Sequence, residues 1–410
     1  MTNPRHFPIH YLGGKALSTH LESPEPSANT EKAIDDALLT LDRLTATFGL
    51  RYPDDCTAGD VYPLRAAQFG EPEGGNTEWT TGFYPGMQWL AGLLRERTVW
   101  HDRAQAHVPS FVDRVNRRVH VNHHDLGFLY SLACVPAWRH RRDETARAAA
   151  LEAAELLLSR QLPVAGIIQS WGDLSDPEQQ GRAIIDSLMN MPLLFWATEQ
   201  TGDPRFAEAA QKHVEALCAH IVRPDGSTFH TFHWDPATGK PLHGSTAQGY
   251  DDTSCWARGQ AWAIYGFALN YMHTGAPALL EASRRAAEYF LDHLPQDLVP
   301  FWDLIFNEGS GEERDTSAGA IAVCGLMELA ALTGEARFAE AADAMLDSMI
   351  ASYSTADDPS ATCLLREGVY FKAGGRGVAE GNLWGDYFYL EALQRRREPS
   401  WVSYWEPQQP

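Results

Sequence analysis

A short segment that occurs twice constrains the fold of this chain more than any other feature. Residues 201–210 read TGDPRFAEAA and residues 333–342 read TGEARFAEAA, and a looser copy begins at Thr274. In each copy a glycine ends an apolar segment and an amphipathic segment follows, which is typical of two helices joined at a glycine C-cap. The repeats therefore predict a series of helical hairpins.

Apolar residues spaced three and four positions apart predict twelve helices. They cover about residues 30–48, 82–97, 101–118, 124–138, 142–160, 183–201, 205–221, 255–273, 277–293, 315–333, 336–353 and 383–396. Segments that are apolar all round alternate with amphipathic ones, so buried and solvent-facing helices alternate. We predict an all-α fold, an (α/α)6 toroid of six hairpins in which the N-termini of the inner helices meet at one rim.

Three segments lie outside this helical pattern. Residues 222–252 carry PDG and PATGK turns between β-prone runs, which predicts a β-hairpin or long loop over the rim. Residues 355–381 are irregular and glycine-rich, and residues 1–28 are polar with several prolines and serines. We predict an irregular N-terminal arm over 1–28 and a single catalytic domain over 29–410.

The composition excludes several classes of function. The 33 Lys and Arg residues are outnumbered by 54 Asp and Glu residues, so the net charge is −21, which disfavours nucleic acid and anionic membranes as partners. The six cysteines form no C-x-x-C pair, and the N-terminus has no signal-peptide pattern, so we expect a cytoplasmic protein with free thiols. We expect it to be a monomer or a homodimer.

Two aspartates are the strongest candidates for catalysis. Asp125 opens a predicted helix after His123 and His124, and Asp186 lies among Ile, Leu and Met in the first turn of the most apolar one. Helix capping is the simplest role for either residue, but a buried carboxylate needs a partner or a function. If the two face each other across a cavity, one should be protonated near neutral pH and suit acid–base chemistry on a sugar.

Other polar residues near the predicted rim suggest a sugar-acid site without a metal or cofactor. Arg258 begins an apolar helix and could bind a carboxylate or pair with Asp251 or Asp252. The histidines around position 123, and the pair His230 and His233, lack the spacing of a metal site. We therefore expect no metal and no cofactor.

Five motifs together resemble the unsaturated glucuronyl hydrolases, glycoside hydrolase family 88. They are WTTGF at 79–83, HDLGF at 124–128, GRAIIDSLMN at 181–190, QGY at 248–250 and WARGQAW at 256–262. The resemblance implies an (α/α)6 barrel and substrates made by polysaccharide lyases, which carry a 4,5-unsaturated uronic acid at the non-reducing end. It also implies that the vinyl ether is hydrated rather than displaced at C1.

The same resemblance implies roles for individual residues. Asp186 donates a proton to C4 and helps water reach C5, and Asp125 tunes Asp186. The remaining residues implied to bind the sugar are His124, Gln248, Arg258 and His230, with Trp79, Trp171 and Trp256 as stacking walls.

Some features of the sequence leave alternatives open. Family members that favour sulfated fragments have a loop with serine and lysine, but residues 371–377 here read FKAGGRG, with Lys372 and Arg376 and no serine. The related unsaturated rhamnogalacturonyl hydrolases, which act on pectin fragments, are the nearest alternative. A sugar 2-epimerase using His230 and His233, or a carbohydrate-binding protein without activity, are more distant ones.

Overall fold

The computed structural model describes residues 28–176 and 179–408, and helices make up most of it. The α-helices are α1 Ala28–Phe48, α2 Phe83–Leu94, α3 Thr98–Gln105, α4 Val108–Arg117, α5 Leu126–Arg141, α6 Glu144–Leu158, α7 Met191–Thr201, α8 Pro204–His220, α9 Ala257–Thr274, α10 Pro277–Asp292, α11 Thr316–Thr333, α12 Ala336–Ser352 and α13 Leu383–Arg397. The strands are β1 Gln161–Leu162, β2 Ile167–Ile168, β3 Arg182–Ile184, β4 Thr231–Trp234, β5 Pro241–Ser245, β6 Gly368–Phe371 and β7 Arg376–Glu380. The predicted arm over residues 1–28 lies outside the described residues except for Ala28, where α1 begins.

The repeated segments form the turns between paired helices. Gly202, Gly275 and Gly334 each follow the last residue of a helix and have φ of 75°, 67° and 73°. Glycine adopts this left-handed conformation without strain, so it ends the helix sharply. In each case the next helix begins two residues later.

Six of the helices form a closed series of contacts, in which each helix packs against two of the others. α2 packs against α5, α5 against α7, α7 against α9, α9 against α11, α11 against α13, and α13 against α2. Most side chains of α9 and α11 are buried on all sides of the helix, whereas α8, α10 and α12 each bury only one face. α11 is long and apolar enough to cross a membrane, but 72% of it is buried inside the protein, as in a core helix.

Two predicted helices differ from the structure, in both cases beside a proline. The predicted helix over 101–118 is two helices, α3 and α4, because Pro109 has no N–H to donate to the preceding turn. In the predicted helix over 183–201, only residues from 191 onward are α-helical, with Pro192 in the first turn of α7. Residues 182–184 form β3 instead, and Ile185–Met189 form a 3-10 turn, which we call the Asp186 turn.

A three-stranded antiparallel sheet connects the Asp186 turn to the segment that follows α8. β4 is its central strand, and β3 and β5 are its edges. Ile184 pairs with Thr231 and Thr231 pairs with Ser245. The segment 182–184 is a strand because its backbone groups form hydrogen bonds with β4. This pairing is a long-range contact, which a run of apolar residues in the sequence does not reveal.

Candidate active site

The Asp186 turn lies between two inner helices and sets the position of the carboxyl group. A Cβ atom on Gly127 of α5 would lie 2.3 Å from the Asn190 Cα, and one on Gly266 of α9 would lie 2.5 Å from the Leu188 Cβ, so only glycine admits the turn at this distance. The Asp186 side chain is 17% exposed. Its Oδ1 has no hydrogen-bond partner among the residues that the structure describes.

His124 lies between the two aspartates that the sequence singled out. Its Nε2 is 3.2 Å from the Asp125 Oδ1 and 3.5 Å from the Asp186 Oδ1. Asp125 occupies the N-cap position of α5, yet its side chain makes no capping hydrogen bond. The capping role considered for Asp125 is therefore wrong, because its carboxylate faces His124 instead.

His123 is a neutral neighbour of this group. Its Nδ1 accepts the Asp125 backbone N–H at 3.1 Å, and its Nε2 donates to the His120 carbonyl at 2.9 Å. Burial lowers the pKa of His123. No proton is left on Nδ1 for the Asp125 carboxylate, so His124 is the cation that balances it.

The surroundings move the pKa values of the two aspartates in opposite directions. Burial raises the pKa of Asp186 to about 7, the His124 cation opposes this rise, and the Asp125 carboxylate adds to it. Burial acts on Asp125 too, but the imidazolium of His124 holds the pKa of Asp125 well below its usual range. The two carboxylates outweigh burial and raise the pKa of His124. The site can thus hold one protonated acid beside an ion pair.

Arg258 is enclosed by acceptors of the protein itself. Its guanidinium lies 3.2 Å from the Asp315 Oδ2, donates to the Gln248 Oε1 at 2.6 Å and to the Tyr370 carbonyl at 2.9 Å, and also donates to the Val369 carbonyl. Arg258 therefore pairs with an internal aspartate, but the partner is Asp315 and not Asp251 or Asp252. Asp315 is the N-cap of α11, which packs against α9 in space, although Asp315 is far from Arg258 in sequence.

His230 offers a hydrogen-bond donor that the described residues leave unused. Its Nδ1 accepts the Ala247 backbone N–H at 2.8 Å, so the ring proton is on Nε2. This Nε2 is buried and has no partner within residues 28–176 and 179–408. Burial lowers the pKa of His230 to about 3, with Arg258 adding to the effect, so the ring is neutral. His233 differs, because it bonds to the Ser245 hydroxyl at 2.9 Å.

The three tryptophans that the resemblance implies as walls lie in different surroundings. Trp79 is half-buried and donates to the Tyr370 hydroxyl at 3.0 Å. Trp171 is half-buried and follows Ser170, whose carbonyl accepts the His124 backbone N–H. Trp256 is only 4% exposed, with the Arg258 guanidinium 4.4 Å and the His230 ring 4.6 Å from its ring. Its contacts make Trp256 a support for Arg258 and His230.

The same groups could also hold a metal ion. One ligand atom each from His124, Asp125 and Asp186 lies within 4.8 Å of the others. Nitrogen and carboxylate ligands suit several divalent ions, so this cluster fits a metal better than the sequence suggested. A metal would have to replace the proton of the His124 Nε2, which now lies between the two carboxylates.

The sequence analysis assigned no role to two residues of the site. Tyr370 connects Trp79 and Arg258 through its hydroxyl and its carbonyl, and no motif marks it. Asp315 lies in the segment RDTSA at 314–318, which also fits the family, and it bonds to Arg258 of α9. The sequence does not reveal that this segment lies beside α9.

Comparison with known proteins identifies the family. The sequence model of Glycosyl Hydrolase Family 88 matches residues 66–388. The chain is 43% identical to an unsaturated chondroitin disaccharide hydrolase of Streptococcus pneumoniae over 380 residues, 91% of this chain and 93% of that one. The chain belongs to glycosyl hydrolase family 88.

Further relatives of this family 88 enzyme agree with that assignment. An unsaturated glucuronyl hydrolase of a Bacillus strain is 41% identical over 92% of this chain and 98% of its own length. The crystal structure of an unsaturated glucuronyl hydrolase from Streptococcus agalactiae superposes with a TM-score of 0.87 at 42% identity, covering 92% of this chain and 94% of that one. The resemblance seen in the sequence is confirmed, and the protein is a helix-rich glycoside hydrolase.

Proposed function

We propose that this enzyme removes a 4,5-unsaturated uronic acid from the non-reducing end of lyase-generated oligosaccharides, with Asp186 as the general acid. The observation that carries the proposal is the geometry of the two aspartates, whose carboxylates lie 3.2 Å (Asp125) and 3.5 Å (Asp186) from the His124 Nε2. Burial raises the pKa of Asp186 to about 7, whereas the His124 cation lowers the pKa of Asp125. Protonation of an enol ether carbon needs such an acid in a buried site. The names of the relatives, unsaturated glucuronyl and chondroitin disaccharide hydrolases, support this substrate class.

The reaction consumes one water and leaves the enzyme unchanged. Asp186 gives its proton to C4, and the positive charge that develops is shared between C5 and the ring oxygen. Water adds to C5 while the Asp186 carboxylate takes up one of its protons. The resulting hemiketal opens at the bond between C5 and the ring oxygen, which leaves a ketone at C5 and a hemiacetal at C1. The hemiacetal then releases the neighbouring sugar as an alcohol.

The other candidate residues have distinct tasks in this proposal. Burial favours the protonated form of Asp186, and the Asp125 carboxylate adds to this effect, whereas the His124 cation opposes it and pairs with Asp125. The unused Nε2–H of His230 donates to a substrate oxygen near the reacting end. Gln248 and Arg258 bind as a unit, because a substrate carboxylate reaches the guanidinium only in place of one of its present acceptors. Trp79 and Trp171 flank the sugar ring.

The glycine-rich loop between β6 and β7 supports a preference for unsulfated fragments. The Lys372 Nζ bonds to the Glu313 carboxylate and lies 3.4 Å from that of Glu312. The Arg376 guanidinium lies 2.5 Å from the Asp55 carboxylate. Both cations that could meet a sulfate are thus already paired, and the protein carries a net charge of −21.

The finer description of the fold is part of the proposal. The closed sequence of contacts among six inner helices supports an (α/α)6 toroid of six hairpins, with the β3, β4 and β5 sheet over its active rim. A single domain over residues 29–410, a cytoplasmic location and a monomeric or homodimeric state stay predictions.

The experiment follows the ultraviolet absorbance of the conjugated enoate in an unsaturated chondroitin or hyaluronan disaccharide. Absorbance should fall with the wild type and stay constant with Asp186→Asn, which should still bind the substrate by calorimetry. Full turnover by Asp186→Asn would refute the role of this residue. No turnover by the wild type, on these substrates or on an unsaturated galacturonyl-rhamnose, would refute the proposed function.

A further inference from the structure

The Asp186 turn is held in place by a directed series of hydrogen bonds that begins outside the active site. The Ile168 backbone N–H in β2 donates to the His213 Nδ1 at 2.9 Å. The His213 Nε2 lies 2.7 Å from the Ser187 Oγ, and this hydroxyl lies 2.6 Å from the Ile184 carbonyl. Both His213 and Ser187 are completely buried.

The direction of each bond in this series follows from its first donor. A backbone amide can only donate, so the His213 Nδ1 carries no proton and the ring proton is on Nε2. His213 therefore donates to the Ser187 Oγ, and the Ser187 hydroxyl donates to the Ile184 carbonyl, which has no proton to offer. Burial lowers the pKa of His213 to about 3, in agreement with a neutral ring. One tautomer satisfies every group, and reversing any bond leaves two donors facing each other.

Few other contacts fix the position of the Asp186 carboxyl. Its Oδ1 has no hydrogen bond to any residue in the described part of the chain, and the His124 Nε2 at 3.5 Å is too distant for one. The backbone of the turn is held by the His230 carbonyl, which accepts the Ile185 N–H at 3.0 Å, and by Asn270, which donates to the Leu188 carbonyl at 2.8 Å. Ser187 is the residue next to Asp186 in the chain, and its hydroxyl contacts His213 and the Ile184 carbonyl.

We infer that His213, acting through Ser187, is a positioning residue that holds the Asp186 carboxyl in its productive place. This inference rests on the proposed function of Asp186. His213 lies on α8, an outer helix, and its ring contacts the Asp186 turn through Ser187. General acid catalysis depends steeply on the position of the acid, and a displacement of about 1 Å can lower the rate about 100-fold. The substrate affinity does not depend on His213 in the same way.

The test compares three variants of this series with a matched buried histidine elsewhere. His213→Leu leaves the Ile168 N–H and the Ser187 hydroxyl without their partner, and Ser187→Ala removes the connecting oxygen. His213→Gln supplies a carbonyl acceptor and an amide donor, so it can restore both bonds. His107→Leu is the control, because His107 is also buried and contacts the Tyr52 hydroxyl, away from the Asp186 turn.

The expected result is a change in kcat without a matching change in KM. When turnover is calculated per mole of folded enzyme, kcat of His213→Leu and Ser187→Ala should be at least about tenfold lower than that of the wild type. The KM of each variant should stay within about threefold of the wild-type value. His213→Gln should recover most of this loss, and the double variant of His213→Leu and Ser187→Ala should be no slower than the slower single variant. A kcat of His213→Leu equal to that of His107→Leu would overturn the inference.

Crystal structures of the wild type and His213→Leu decide the same point without substrate. The inference expects the Asp186 carboxyl to be displaced or disordered in His213→Leu and unchanged in His107→Leu. An unchanged Asp186 in His213→Leu would overturn it, whatever the kinetics. A wild type that does not turn over the disaccharide refutes the proposed function instead, and these structures then decide the position of Asp186 alone.

Discussion

Replacing Asp186 by asparagine should make the protein more stable at neutral pH while abolishing turnover. The folded state raises the pKa of this carboxyl from 3.8 to about 7, chiefly through burial. Each pH unit between the unfolded and folded pKa corresponds to about 1.4 kcal/mol, so the full effect is about 4 kcal/mol. An asparagine is uncharged at every pH, like the protonated acid, so the variant does not lose this part of its free energy of unfolding as the pH rises.

The sign of the effect follows from where the proton is bound. Below about pH 4 both folded and unfolded wild-type chains hold the proton, and the stabilising contribution of the raised pKa is fully present. Between pH 4 and 7 the unfolded chain releases the proton while the folded chain retains it, so the free energy of unfolding falls. Above about pH 7 the contribution is lost, and the difference from Asp186→Asn is constant.

Urea denaturation followed by tryptophan fluorescence measures this difference. Between pH 5 and 7.5 the advantage of Asp186→Asn over the wild type should grow by about 3 kcal/mol and then level off. Asp125→Asn is the matched control and should be less stable than the wild type throughout, because it removes the ionised partner of His124. If the difference in the free energy of unfolding between Asp186→Asn and the wild type does not vary with pH, the idea that the folded state raises the pKa of Asp186 is refuted.

Three further predictions concern metal dependence, sulfate preference and a buried charge cluster. Activity should survive dialysis against EDTA, and a loss that one divalent metal restores would contradict the proton-based mechanism. Glu313→Gln removes the shorter of the two ion pairs of Lys372 and leaves the one to Glu312, so it should raise kcat/KM for a 6-sulfated disaccharide about 2- to 5-fold relative to the unsulfated one. An unchanged ratio would show that this loop does not select for or against sulfate. Arg395→Met, which leaves three buried carboxylates at 2.8 to 3.1 Å from the lost guanidinium without their cation, should lower the free energy of unfolding by more than about 3 kcal/mol. Arg396→Met is its control and should lower it by less than about 1 kcal/mol, because the carboxylate partners of Arg396 are exposed; equal losses would show that burial does not decide the effect.

The helices were predictable because their signals are local. The glycine that ends α7, α9 and α11 and the amphipathic run that follows each of them appear within about ten residues of sequence. The errors occurred where a long-range contact competes with a local pattern. Residues 182–184 look helical by composition, but β4 pairs with them, and Pro192 delays the start of α7.

Many of the candidate site residues could be proposed from the sequence, but Tyr370, Asp315 and the arrangement of the site could not. Motifs around positions 125, 186 and 258 marked the residues, since unusual polar groups in apolar segments stand out. The partner of Arg258 was not predictable, because Asp315 is brought to it by the packing of α11 on α9. The series from Ile168 through His213 to Ser187 joins a strand, an outer helix and a turn, and none of these shows its partner in the sequence.

By itself, the sequence determined which segments are helices, which helices are buried, and which acids could be catalytic, because periodicity and burial depend on nearby residues. Only the tertiary structure decided that His124 lies between Asp125 and Asp186, and therefore which aspartate keeps its proton. The physical reason is that a pKa depends on burial and on charges within a few ångströms, and those distances are set by how distant segments pack together.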